Sequence, residues 1–196
     1  MEKLESILHQ ENKDEKYYQA EFEEALLRNG RLGVSTPDFK LTNERYITEG
    51  FIFKLPYIIR DTYGELSVED LVAKCIPVHF GLVAPIAEYL GIPVYFTLGD
   101  FSINEKRAYK VTEDSLKEQL VNGANLFSIN IHAWLTLPSM EIIDITLPTT
   151  VAKIHKSKEV GGIISKHYSE LSGGVAYHPM LIGEEYLRKL NYRLNL

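Results

Sequence analysis

Apolar residues recur at helical spacing in the segment that follows the only cysteine of the chain. This stripe consists of Val78, Leu82, Val83, Ile86 and Leu90. Pro77 before the stripe is typical of a first helical turn, and Gly91 after it is typical of a helix C-terminus. The pattern predicts a helix of about fourteen residues, with Cys75 at or just outside its N-terminus.

Further along, the chain has stretches with the composition of β-strands. Residues 93–98 are β-branched and aromatic, and the pattern predicts that Gly99–Asp100 ends this strand. Residues 126–137 predict a second strand, which turns at Pro138–Met140 and returns as its partner over residues 141–147. The last two strands are expected to form an antiparallel hairpin.

Helical patterns flank these strands. Residues 1–29 predict one or two amphipathic helices. Ser67, with Asp70 three residues later, predicts a short capped helix that leads to the cysteine. Further helices are predicted over residues 112–120 and 184–190, and a short strand is predicted over residues 175–178.

The order of these elements predicts the fold class. Helices that are followed by a strand and an antiparallel hairpin favour an α+β fold. Residues 1–44 are interpreted as a helical N-terminal extension packed on the core, and residues 45–196 as the core domain. We expect the two parts to form one compact unit.

Composition places the chain among soluble globular proteins. Of its 196 residues, 45% are hydrophobic and 24% are charged. The net charge of −6, without a cluster of Lys or Arg, argues against binding to nucleic acid or to an anionic membrane. No apolar run reaches the roughly 18 residues of a membrane span, and no signal peptide is evident. These features predict a cytoplasmic protein, or one exported without such a signal.

A single cysteine leaves a free thiol, since no intramolecular disulfide can form. At a helix N-terminus, Cys75 would meet unpaired backbone N–H groups and the positive end of the helix dipole, which favour a thiolate over a thiol. The alternative is that Cys75 is a small apolar residue of the core, as unpaired cysteines often are.

The predicted hairpin carries two further chemical groups. His132 and Trp134 point to the same face of their strand, because side chains alternate. A three-residue loop would pair Trp134 with Asp144 and make His132 and Asp144 diagonal neighbours, whereas a two-residue loop would put them on opposite faces. Asp144 lies in an apolar stretch, where a buried charge needs a partner. The pattern therefore favours a His132–Asp144 pair, in which the carboxylate orients the histidine and makes it more basic.

Two alternatives involve His79, which lies four residues after Cys75 on the same helix face. His79 is a rival base, but we expect it to point back over its own helix rather than across to the sheet. A zinc site formed by Cys75, His79 and His132 is the other alternative, although no Cys-x-x-Cys or His-x-x-x-His spacing supports it. The remaining histidines are expected at the surface or in loops: His9, His155, His167 and His178.

Three short motifs in this order resemble the transglutaminase-like superfamily, whose members are relatives of the papain-like cysteine proteases. The motifs are Cys75 at the start of a helix that ends in Tyr89-Leu90-Gly91-Ile92-Pro93-Val94, then His132-Ala133-Trp134, then Asp144-Ile145-Thr146. The resemblance covers about residues 65–150. It implies a cysteine at the N-terminus of a core helix packed on an antiparallel β-sheet. Cys75 would be the nucleophile, His132 the base and Asp144 the residue that orients the base, while Trp134 and Thr146 would have structural roles.

The activity implied by the resemblance is thiol-dependent acyl transfer on an amide, as in cysteine proteases, deamidases, amidases and transglutaminases. The Cys75 backbone N–H is the oxyanion donor that the sequence can name. The implied partner is a protein or peptide amide substrate, with no cofactor and no metal. The alternative function is a non-catalytic interaction domain on the same fold, with the N-terminal helices as its partner surface.

Overall fold

The structure is a computed structural model that describes residues 17–123, 129–156 and 161–194. The predicted α+β class is confirmed, since helices pack on a curled antiparallel sheet. The helices are α1 (Tyr17–Arg31), α2 (Glu49–Tyr63), α3 (Val68–Leu71), α4 (Cys75–Leu90), α5 (Glu113–Asn122), α6 (Leu147–Ile154) and α7 (Glu185–Lys189). The strands are β1 (Tyr95–Ile103), β2 (Lys106–Arg107), β3 (His132–Thr136), β4 (Glu141–Asp144), β5 (Ile164–His167) and β6 (Val175–Ile182).

Strand β1 is the centre of the sheet. It pairs with β2, β3 and β6, and β3 continues through β4 to β5, all antiparallel. Strands β3 and β6 both pair with residues 97–99 of β1, so they lie on its opposite edges. The strand predicted over residues 126–137 is shorter than expected, since β3 covers residues 132–136 and residues 129–131 precede it outside any strand. Residues 124–128 lie outside the described residues.

Strand β1 continues through Gly99 and Asp100, where the sequence predicted its end. Gly99 permits the close approach of β6, because a Cβ at this position would lie 2.1 Å from the carbonyl oxygen of His178. The register of the two strands shifts at this point. The carboxylate of Asp100 is fully buried, but three backbone N–H groups donate to it at 2.8–2.9 Å. Both residues are therefore accommodated within the strand by their tertiary neighbours.

Each face of the sheet has its own hydrophobic core. Helices α2, α4 and α7 cover one face, where Leu82 packs in the same cluster as Leu98 and Leu135. Helix α1 covers the other face, where Phe22 packs in the same cluster as Trp134. Successive residues of β3 thus enter different cores, as the alternation of a strand requires.

The helix boundaries follow the predicted signals closely. Helix α4 begins at Cys75 and is followed by Gly91 in the left-handed conformation, with φ 68°. Ser67 and Asp70 form the predicted capping box at the start of α3. Of the helices predicted within residues 1–29, α1 is described, and residues 1–16 lie outside the described residues. None of the helices described is long and apolar enough to cross a membrane.

The second hairpin strand is shorter than predicted. The sequence favours a strand to residue 147, but β4 ends at Asp144 and α6 begins at Leu147. The Asp144 carboxylate accepts the backbone N–H groups of Thr146 and Leu147, each at 2.9 Å. These hydrogen bonds turn the chain out of the sheet and into the helix.

Candidate active site

Cys75 is the first residue of helix α4, at the position that the sequence predicted. Lys74 before it makes no side-chain cap to the helix, and its ammonium group instead bonds to the Asp70 carboxylate at 3.0 Å. The first backbone N–H groups of α4 have no acceptor within the helix, so they can stabilise negative charge at this end. Cys75 is partly buried, and its sulfur lies 3.9 Å from the carbonyl oxygen of Ile131, the residue that precedes His132.

The hairpin has the register that brings His132 and Asp144 together. Leu135 pairs with Ile143, and the loop between the two strands is Pro138–Met140. The last loop residue has φ 63°, which is typical of a three-residue hairpin loop. The predicted three-residue loop is thus confirmed. As a result, Nε2 of His132 lies 2.6 Å from Oδ2 of Asp144.

Asp144 is held by donors on both of its oxygens. Oδ2 accepts from His132 and from the hydroxyl of Tyr177, the latter at 2.9 Å. Oδ1 accepts the backbone N–H groups of Thr146 and Leu147 and the hydroxyl of Thr146 at 3.1 Å. The carboxylate is fully buried, and these hydrogen bonds compensate for its lost hydration.

Burial opposes the charged form of both partners, but their attraction outweighs it. Burial lowers the pKa of His132, whereas the charges of Asp144 and Cys75 and the hydrogen bonds to both raise it to about 10. Burial raises the pKa of Asp144, whereas the charge and the hydrogen bond of His132, followed by the charge of His79, bring it well below its usual range. At neutral pH the pair is therefore an imidazolium and a carboxylate.

Cys75 is the second group, after Asp144, whose charge raises the pKa of His132, so the thiol lies near the imidazole. Nε2 of His132 is engaged by Asp144, which leaves Nδ1 as the ring nitrogen available to the thiol. Thiol, imidazole and carboxylate thus lie in this order. This is the arrangement that activates a cysteine nucleophile.

His79 bonds back to its own helix, as expected, but it also reaches across to the chain after β4, which was not expected. Its Nδ1 lies 2.9 Å from the carbonyl oxygen of Cys75, and its Nε2 accepts the N–H of Ile145 at 3.0 Å. It reaches the sheet because it shares the face of α4 that packs on β3. Burial, against the attraction of Asp144, lowers the pKa of His79 to about 4. His79 is thus a neutral bridge that links α4 to the segment after β4.

Aromatic rings enclose the His132 imidazole. Trp134 stacks on it with ring centroids 5.9 Å apart, Tyr177 stacks at 6.2 Å, and Phe101 approaches edge-on at 5.2 Å. The indole N–H of Trp134 donates to the hydroxyl of Tyr18 at 2.8 Å, which connects α1 to this wall. These rings keep water from the His132–Asp144 pair and so strengthen its electrostatic attraction.

His178 is buried in β6, although the sequence analysis expected it at the surface or in a loop. Its Nε2 lies 3.0 Å from Oγ of Ser102, and its Nδ1 lies 3.1 Å from a carboxylate oxygen of Glu21. The three residues come from β1, β6 and α1, so their association depends on tertiary packing. Neither this cluster nor Tyr177 was predicted, since no local pattern in the sequence links either of them to the site.

The described residues contain no group of three or more His, Cys, Asp and Glu side chains arranged to bind a metal ion. Both ring nitrogens of His79 are engaged by backbone groups, and Nε2 of His132 is engaged by Asp144. The zinc alternative is therefore not supported by the described residues, because they present no such group and hydrogen bonds occupy both nitrogens of His79.

Comparisons of the chain with protein families, with curated proteins and with solved structures each found no match. The likeness to the transglutaminase-like superfamily therefore depends on the three sequence motifs and on the geometry around Cys75.

Proposed function

We propose that the protein catalyses thiol-dependent acyl transfer on a protein or peptide amide, with Cys75 as nucleophile, His132 as acid and base, and Asp144 as the residue that orients His132. The observation that carries the proposal is the buried hydrogen bond of 2.6 Å between His132 and Asp144, beside a thiol at a helix N-terminus. We also propose a transglutaminase-like or papain-like fold. It is supported by the cysteine at the start of a core helix and by the order of the three motifs.

Acylation begins from the thiolate of Cys75, which the imidazolium of His132 stabilises. The sulfur attacks the carbonyl carbon of the amide, and the electron pair of the C=O bond moves to oxygen. The backbone N–H of Cys75 is the donor proposed for this oxyanion. The Nδ1 proton of His132 then passes to the leaving nitrogen as the C–N bond breaks, which leaves a thioester and a neutral imidazole.

Deacylation reverses these proton transfers. Water or an amine attacks the thioester, and Nδ1 of His132 accepts the proton of the attacking group. The C–S bond breaks and regenerates the thiolate, so the imidazolium and thiolate are restored. Throughout the cycle Asp144 keeps the other ring proton on Nε2, which leaves Nδ1 as the nitrogen that exchanges protons.

Alkylation of the thiol tests the proposal without a known substrate. Cys75 is the only cysteine, so iodoacetamide consumption measured by intact mass reports on this residue alone. We expect wild-type protein to react at about pH 5.5, and His132→Ala to react roughly 100-fold more slowly at that pH. His155→Ala is the matched control, because His155 is exposed at the end of α6.

An ester surrogate adds a direct test of acyl transfer. Incubation with p-nitrophenyl acetate should release nitrophenolate and acetylate the wild-type protein once, on Cys75, whereas Cys75→Ala should remain unmodified. A wild-type thiol that reacts slowly at mildly acidic pH, takes no acetyl group and releases no more nitrophenolate than Cys75→Ala would refute catalysis and favour the non-catalytic interaction domain. Loss of reactivity in His79→Ala but not in His132→Ala would show that the base is assigned wrongly.

A further inference from the structure

A second buried carboxylate, that of Asp100, holds the segment of residues 108–110 that follows β2. Its oxygens accept the backbone N–H groups of Tyr109 and Lys110, each at 2.9 Å, in addition to that of Phe101 at 2.8 Å. The guanidinium of Arg107 lies 3.9 Å from the same carboxylate. A buried charge is costly unless donors surround it, and two of these donors belong to the segment itself. Asp100 therefore determines the path of this segment.

The segment is held in a conformation that is locally unfavourable. Lys110 has φ 56°, in the left-handed region that side chains other than Gly seldom adopt. The N–H of Ala108 donates to the carbonyl oxygen of Phe101 at 2.9 Å, so the chain folds back along β1. Backbone strain of this kind persists only where surrounding contacts hold the chain, as the hydrogen bonds to Asp100 do here.

The side chain that the segment carries towards the site is Tyr109. Its ring meets Phe101 edge-on at 5.7 Å, and Phe101 meets His132 edge-on at 5.2 Å. Tyr109 is 38% exposed, so it lies at the boundary between the aromatic wall and solvent. Burial first, and then the charges of Cys75 and Asp100, raise the pKa of its phenol, which keeps the ring uncharged at neutral pH.

We propose that Tyr109 forms one wall of the approach to the Cys75 sulfur and limits the size of the group that reaches it, with Asp100 as the residue that positions this wall. Two backbone hydrogen bonds to Asp100 hold the chain at Tyr109, and the contact with Phe101 holds the ring, so it acts as a fixed boundary. We expect a substrate whose acyl group has little steric bulk next to the reacting carbonyl. This last step rests on the proposed function, whereas screening of the sulfur is a property of the resting protein.

Two maleimides of different size can measure how far Tyr109 screens the Cys75 sulfur. Rate constants for N-methylmaleimide and N-pyrenylmaleimide with Cys75 of the full chain share one chemistry, so their ratio reports on space alone. Tyr109→Ala should raise the rate of the pyrenyl reagent by about tenfold and that of the methyl reagent by less than about threefold. Tyr109→Phe should leave both rates within about twofold. Tyr57→Ala is the matched control, because Tyr57 is 39% exposed on α2.

The role of Asp100 has its own readouts. Asp100→Asn replaces an acceptor oxygen with an NH₂ group, so it should release the segment and reproduce the change in ratio of Tyr109→Ala. If that variant does not fold, hydrogen exchange of the wild-type Tyr109 and Lys110 amides decides instead, and slow exchange is expected. Exchange at the rate of an unprotected amide would overturn the role of Asp100.

If the ratio of the pyrenyl to the methyl rate constant for Tyr109→Ala lies within about twofold of the wild-type ratio, Tyr109 does not limit access to the Cys75 sulfur and the proposal is refuted. The proposed function fails separately, if Cys75 reacts as an ordinary thiol in the pH-dependent alkylation test. A changed ratio together with that result would leave the wall in place and remove the catalytic role.

Discussion

Asp144→Asn separates the charge of the carboxylate from its shape. Oδ1 faces the N–H groups of Thr146 and Leu147, and Oδ2 faces the N–H of His132 and the hydroxyl of Tyr177. An asparagine has one oxygen and one NH₂ group, so either orientation sets its NH₂ against donors. If the NH₂ group faces His132, the imidazole must carry its proton on Nδ1, the nitrogen that should accept it.

The size of the effect follows from the pKa of His132. Asp144 is the strongest influence that raises this pKa, so without the carboxylate the pKa falls from about 10, while burial still lowers it and Cys75 still raises it. Each unit of that fall lowers the population of the thiolate–imidazolium pair, relative to the uncharged pair, about tenfold. Loss of one partner from a buried charge pair should also cost about 3 kcal/mol of the free energy of unfolding.

The assay combines iodoacetamide alkylation at about pH 5.5 with urea unfolding from about pH 6 to 10. The raised pKa of His132 means that its contribution to stability is complete below about pH 6.5 and is lost as pH rises towards about 10. Wild-type stability should therefore fall over this range, and Asp144→Asn should flatten the slope. Asp61→Asn, at an exposed carboxylate of α2, is the control.

An alkylation rate for Asp144→Asn within about threefold of wild type, together with an unchanged slope of stability against pH, would refute this reasoning. It would mean that the carboxylate charge does not set the protonation of His132.

Three further outcomes are expected. In wild type the unfolded chain protonates His79 near pH 6.5 whereas the folded protein does so only near pH 4, so His79→Gln should reduce the loss of stability between these pH values. Urea unfolding should show a slope of stability against pH that is smaller by up to about 1.4 kcal/mol per pH unit, and equal slopes for the two proteins would contradict a neutral His79. Tyr177→Phe removes one donor from the buried Asp144 carboxylate and should lower the free energy of unfolding in urea by about 2 kcal/mol. Tyr89→Phe, at an exposed tyrosine, should cause no change, and an equal effect of both substitutions would show that the hydrogen bond does not contribute to stability. Gly99→Ala should reduce the free energy of unfolding by about 2 kcal/mol or more and so lower the melting temperature, because its Cβ would lie 2.1 Å from a backbone oxygen. Gly50→Ala is the control, since its Cβ would meet no atom closer than 3.7 Å, and it should be neutral or stabilising.

Local patterns along the chain were sufficient to predict the local parts of the candidate site. Helical spacing and Gly91 place Cys75 at the first position of α4, and both features depend on residues within one helix. The three-residue loop likewise sets the hairpin register, so His132 and Asp144 share a face whatever packs around them. These outcomes were predictable because each is governed by residues that are close in the chain.

The distant groups that contact these residues depend on how separate elements pack. His79 became a neutral bridge because the face of α4 that carries it packs on the sheet, and the partner of its Nε2 is 66 residues away. His178 is buried because α1 covers β6, and Gly99 continues a strand because β6 lies against it. No local pattern contains these contacts, since their energies come from burial and from donors that arrive only when separate elements pack together.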